Sequence, residues 1–141
     1  MDGLEETERE AARRTNELIQ TAIDMVEDYG NPPAFIAGDF NADVGSLSSL
    51  IQAIEQGQWT DCGGDADIWG CEANAPTCMT ANAKQATRRD YIIVNSALLP
   101  AVKACKVDND AEHIPVHKPL AITVSIGDLS QRCDKARKTA N

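Results

Sequence analysis

The sequence predicts an α/β fold with two helices and about one sheet of roughly four strands. Three observations carry that expectation. One long stretch repeats apolar residues at three- and four-residue steps, several short runs are continuously apolar, and breaks rich in Gly, Pro, Asn and Asp separate them.

The chain has 141 residues, of which 43% are hydrophobic, enough for one compact domain with a core of Ile, Leu, Val and Ala. Residues 1–128 are expected to form the domain, and 129–141 a polar tail that frays. Twenty-two acidic against 13 basic residues give a net charge of -9. That charge repels a polyanion unless metal ions or a local basic patch offset it, which argues against a sequence-reading nucleic-acid binder. It leaves room for an enzyme acting on phosphate esters, because such enzymes gather carboxylates to hold a divalent cation. The five cysteines are irregularly spaced without a Cys-x-x-Cys pair, and a zinc site would want closer ligands, so reduced thiols are expected. A charged N-terminus and the lack of a long apolar run predict a cytoplasmic or nuclear protein with no signal peptide or membrane span.

From Leu4 to Tyr29, the residues Ala11, Thr15, Leu18, Ile19, Ala22, Ile23, Val26 and Tyr29 share one helical face, and Gly30 with Asn31-Pro32-Pro33 stops the helix. The acidic residues Glu5, Glu6, Glu8, Glu10 and Glu17 form its solvated side. Ala34 to Ala37 is a short apolar run expected to be a strand buried on both faces. Ser46 is positioned to cap a second helix carrying Leu47, Leu50, Ile51 and Ile54 and ending at Gly57. Trp59 to Arg89 reads as a long surface excursion, with one short strand near Thr77 to Thr80. Tyr91 to Val94, Ala101 to Val107 and Leu120 to Ile126 complete the strands.

The chemistry concentrates at the end of the first strand. Asp39 and Asn41 stand two residues apart there, and in an extended segment their side chains point to one side, although Asp-x-Asn after a strand, taken alone, more often forms a turn. A carboxylate can hold a water as general base, and an amide can contact a phosphate oxygen. Gly38-Asp39-Phe40-Asn41 follows an apolar strand, Arg88-Arg89-Asp90-Tyr91-Ile92 opens another, and His117-Lys118-Pro119-Leu120 leads into the last. In this order the three blocks resemble the endonuclease/exonuclease/phosphatase family, whose motifs are Gly-Asp-Phe-Asn, Arg-x-Asp-Tyr-Ile and Ser-Asp-His-x-Pro.

The resemblance implies part of a four-layered, DNase I-like α/β sandwich: its C-terminal half, with the N-terminal half missing, of the kind truncated mobile-element (retrotransposon) endonucleases leave. It implies that Asp39 positions or deprotonates the attacking water, that Asp39 and Asn41 contact Mg2+ or Mn2+ or the phosphate, and that Asp90 orients His117. His117 then donates to the phosphate oxygen that gathers charge. Glu112-His113-Ile114-Pro115 also reads as acid, histidine, any residue, proline, but the apolar strand follows Pro119, which favours His117. The family's metal-holding aspartate before this histidine is Val116 here, and its principal glutamate ligand has no counterpart.

The expected function is metal-dependent phosphodiester hydrolysis, inactive or incomplete in this fragment, with cofactor binding weak or absent. The alternatives are a non-catalytic half-domain that binds a partner, and a phosphomonoesterase or lipid-phosphate phosphatase, towards which the negative charge leans. The expected partners are a phosphoester substrate, nucleic acid included, no membrane, and a second copy docked on the exposed half-sandwich face. Arg88 and Arg89 are read as solvated surface residues, with a phosphate contact the less favoured role.

Overall fold

A computed structural model describes residues 2–80, 84–110 and 116–127. The tail, Cys133 and the competing His113 lie outside the described residues. Helix α1 spans Asp2–Asp28. Its end is fixed by a pair of backbone bonds, Gly30 N–H to Glu27 O at 2.9 Å and Asn31 N–H to Val26 O at 3.0 Å. That Schellman geometry needs a left-handed residue, supplied by Gly30 at φ 84°. The buried stripe is narrower than expected. Ile19 and Ile23 are buried and Val26 is half-buried, whereas Leu18 and Tyr29, 71% and 79% exposed, face solvent. Helix α2 (Ser48–Glu55) packs on this face, where Leu50 and Ala53 share a core with Ile19, Ile23 and Val26.

Ser46 does not cap α2. It ends a short 3-10 turn, Val44–Ser46, and Leu47 occupies the cap position without a side-chain bond. The free amide of Ser49 is taken instead by Asn16 Oδ1 at 3.0 Å, while Ser49 Oγ donates to Asn16 O at 3.0 Å. A side chain from α1 thus does the capping and locks the two helices together.

The described residues include five strands: β1 (Phe35–Asp39), β2 (Trp59–Asp61), β3 (Asp90–Asn95), β4 (Val102–Val107) and β5 (Leu120–Val124). The α/β class and the two helices stand as expected, but the strands divide between two antiparallel sheets, ordered β1-β3-β2 and β4-β5. Strand β3 is central and lies between two cores. Tyr91 and Ile93 point to the helices with Ile19, Leu47, Leu50 and Trp59, while Ile92 and Val94 point to Cys62, Val102 and Cys105 beside β4 and β5.

Strand β1 departs from the expectation of burial on both faces. It is paired on one edge only, Ile36 packs on the helix-side core, and Phe35 is 62% exposed. The second core packs on β3 and does not include a β1 residue, so among the described residues none from that core covers the outward face of β1. The Trp59 to Arg89 stretch is likewise not a surface excursion. Trp59, Asp61, Cys62, Ala66, Ala75, Thr77 and Cys78 are buried in it. Near Thr77 to Thr80 there is no full strand, but Cys78 bridges both Thr87 and His117.

Candidate active site

Asp39 ends β1 and Asp90 begins β3, and the antiparallel register sets them directly opposite one another. Cross-strand partners project to the same face at close range, so two carboxylates here repel. His117 relieves that repulsion. Its Nδ1 lies 2.8 Å from Asp90 Oδ2 and its Nε2 lies 3.6 Å from Asp39 Oδ2. The hydrogen bond to Asp90, helped by the charges of Asp90 and Asp39, raises the His117 pKa above its ordinary 6.5 against the opposing effect of burial.

The segment that carries His117 is held by a short antiparallel pairing. Met79 N–H donates to Val116 O at 2.9 Å and Lys118 N–H donates to Thr77 O at 2.7 Å, with Cys78 opposite His117. Thr77, fully buried, also takes the amides of Arg89 and Asp90 on its Oγ1, both at 3.0 Å. One residue therefore fixes both the start of β3 and the approach to His117.

Phe40 serves as an anchor. It is buried, stacks on Tyr91 with ring centroids 5.2 Å apart, and its amide donates to Arg89 O at 2.8 Å. The chain then turns sharply: Asn41 sits at φ 53° and its amide donates to Asp39 Oδ1 at 2.9 Å. This turn overrides the extended geometry that would aim Asp39 and Asn41 at one point. Asp39 lines a cleft of about 330 Å³ with Asp90, His117 and Lys118, whereas Asn41 lines an adjoining one of about 490 Å³ with Cys78, Thr87 and Arg89. The structure brings Asp39, Asp90 and His117 together and places Asn41 around the corner.

The two arginines differ from each other and from expectation. Arg88 is not a surface residue: it makes a two-pronged ion pair with buried Asp61, at 2.8 and 2.6 Å, and lies 4.4 Å over the Tyr91 ring. Gly64 makes room for this pair, since a Cβ there would fall 2.7 Å from Asp61 Oδ2. Arg89 is half-buried at the adjoining cleft, donates to Thr87 Oγ1 at 3.2 Å and stands 3.9 Å from Asp43. The sequence reading missed Asp61, Thr77 and Cys78. Asp61 and Cys78 sit in a stretch without periodicity, and nothing local distinguishes Thr77 from a loop threonine.

Asp39, Asp90 and His117 each offer one ligand atom, all within 4.8 Å of one another, so the cluster could hold a metal ion. A small antiparallel α/β unit thus carries paired carboxylates and an oriented imidazole at its strand ends. The model of the Endonuclease/Exonuclease/phosphatase family matches residues 4–116, most of the chain, and the chain belongs to that family. Asp39, Asn41 and Asp90 fall inside the matched region, and His117 follows it by one residue. Val116, where the family motif has an aspartate, is 41% exposed and contributes only its backbone oxygen to the pairing with Met79. No curated protein matches the chain. Among the described residues, no helix is long and apolar enough to cross a membrane.

Proposed function

We propose that this chain carries one side of a site that hydrolyses phosphodiesters with a divalent metal ion. The observation that supports it is the Asp90–His117–Asp39 arrangement at the mouth of β1 and β3. Asp90 accepts from Nδ1, which leaves Nε2 pointing at the position where a phosphate would lie next to Asp39. Asp39 keeps Oδ2 for a water, because Oδ1 is spent on the Asn41 amide. Attack of that water forms the new P–O bond as the ester P–O bond breaks, and the leaving oxygen departs as an alkoxide that takes its proton from solvent water. Asp39 takes the water proton, and His117 donates a hydrogen bond to a non-bridging oxygen as charge gathers there.

Magnesium commonly binds through one or two carboxylates plus substrate phosphate and water, and Asp39 with Asp90 fits that pattern. Bound there, magnesium or manganese would neutralise phosphate charge and help orient the ester. Two carboxylates, one of them engaged by an imidazole, make a weak set, and Val116 adds nothing to it. Slow turnover by this chain alone follows.

The test is hydrolysis of bis(p-nitrophenyl) phosphate with magnesium or manganese, against a chelator control. A slow, chelator-sensitive rate that falls at least about 100-fold in Asp39→Ala supports the reading. Rapid turnover would contradict the one-sided site, and a rate indifferent to Asp39→Ala would remove catalysis altogether. A second reading, a half-domain that binds a partner or a second copy, is favoured by the exposed Phe35 on the open face of β1. It requires self-association or partner capture that Phe35→Ser weakens, and a strictly monomeric chain in sedimentation would end it.

A further inference from the structure

We propose that Cys78, His117 and Asp39 form a binding site for a thiophilic divalent cation, zinc being the probe, and that its occupation shuts the candidate active site. The irregular cysteine spacing argued against a zinc site, and Cys78 and His117 are 39 residues apart in the chain. The backbone pairing reverses this by setting the two residues opposite one another across an antiparallel bridge. His117 Nε2 lies 3.8 Å from Cys78 Sγ and 3.6 Å from Asp39 Oδ2.

Zinc bonds of about 2.0 to 2.3 Å at tetrahedral angles put neighbouring ligand atoms about 3.3 to 3.6 Å apart. Both pairs already stand within a few tenths of an ångström of that separation. The third pair is wider: Cys78 is not among the residues whose ligand atoms already lie within 4.8 Å of one another, so Asp39, 44% exposed at its side chain and with one oxygen not committed to the Asn41 turn, must swing towards the sulfur to close the site.

Two further features point the same way. Asp90 accepts from Nδ1 at 2.8 Å, the carboxylate–histidine arrangement that fixes the tautomer and leaves Nε2 to a metal. Cys78 is a buried free thiol that reaches the wall of the larger cleft, while the half-exposed His117 and Asp39 line the smaller one, so an ion would approach from the His117 and Asp39 side. A thiolate and an imidazole form a softer set than magnesium prefers and one suited to zinc. Binding replaces the thiol proton, so one proton leaves Cys78 for each ion bound.

The inhibitory half of the proposal rests on the hydrolytic reading above, because the ion takes Nε2 of His117 and the free oxygen of Asp39. The binding half does not, and metal binding decides it whether or not hydrolysis is found. Cobalt titrated into the full chain should give a thiolate-to-cobalt charge-transfer band that zinc displaces. Cys78→Ser should lose the band, Cys71→Ser should keep it, and Asp90→Asn should weaken zinc about ten- to a hundredfold. Zinc should also protect Cys78 of the unmodified chain from alkylation, read by peptide mapping, which covers the case where Cys78→Ser misfolds. A band that survives Cys78→Ser in folded protein, no band in the unmodified chain, or alkylation of Cys78 unchanged by zinc overturns the proposal.

Discussion

Strands β1 and β3 arise from similar four-residue apolar runs and pair with each other along their length, yet their environments are opposite. β3 is buried from Tyr91 to Asn95 between two cores, whereas β1 exposes Phe35, Ala37, Gly38 and Asp39. An apolar run therefore specifies a strand but not its place in the sheet. The place comes from what packs above and below, and here the β4-β5 layer covers one strand and not the other. The difference divides the labour at the site: β3 supplies the rigid carboxylate, Asp90, and β1 the accessible one, Asp39.

Breaking the anchorage of β3 should have the largest effect. Arg88→Ala strands Asp61 as a buried charge and should cost about 3 to 5 kcal/mol in urea unfolding. A loss below about 1 kcal/mol would mean that Asp61 is solvated after all. Next, Ile93→Ala, at a fully buried position, should cost about 2 to 5 kcal/mol, against less than about 1 for Phe35→Ala. Equal costs would erase the distinction between the strands.

Where the strands are tied together, a smaller effect is expected. The buried Asn95 side chain accepts from the amides of Ala34 and Leu98 and donates to Pro32 O; Leu98 keeps the Asn95 backbone oxygen, so Asn95→Ala removes the side-chain partner of the Ala34 amide and the Pro32 carbonyl. A loss of about 1 to 3 kcal/mol in chemical denaturation should follow.

The smallest effect sharpens the contrast between Asp39 and Asp90. The His117 pKa is raised on folding, so its contribution is complete below the ordinary 6.5 and fades as pH climbs through the folded-state value. The gap in melting temperature between the unmodified chain and Asp90→Asn should be wider near pH ~6 than near pH ~9. The His117 ring resonances should titrate above 6.5 in the unmodified chain and closer to it in Asp90→Asn. A constant gap across that range would show that the imidazole carries no charge between the carboxylates.

Much of this was legible from sequence because the signals were local. The α1 stripe, its Gly30 stop and the apolar run of β3 each follow from residues within a turn or two of one another. Asp39, Asp90 and His117 were legible through their motifs, although only register and pairing reveal that they converge. The misses share one cause. Capping of α2 by Asn16, burial of Arg88 against Asp61 and placement of Cys78 beside His117 join residues 27 to 39 positions apart, which no window of periodicity spans. Asn41 failed differently, since a left-handed turn closed by Asp39 replaced the extended geometry on which its aim depended.

Thr77 gives the site a clock. A single side-chain oxygen receives two successive amides, those of Arg89 and Asp90, while the same residue's carbonyl holds Lys118. When the segment around Thr77 lifts, all three amides lose their acceptor in one event. Deuterium should enter Arg89, Asp90 and Lys118 at matched rates, set by one local opening and not by each position's own solvent access. Asp90 and His117 then keep or lose their alignment in a single step, and that alignment persists only as long as one threonine stays closed.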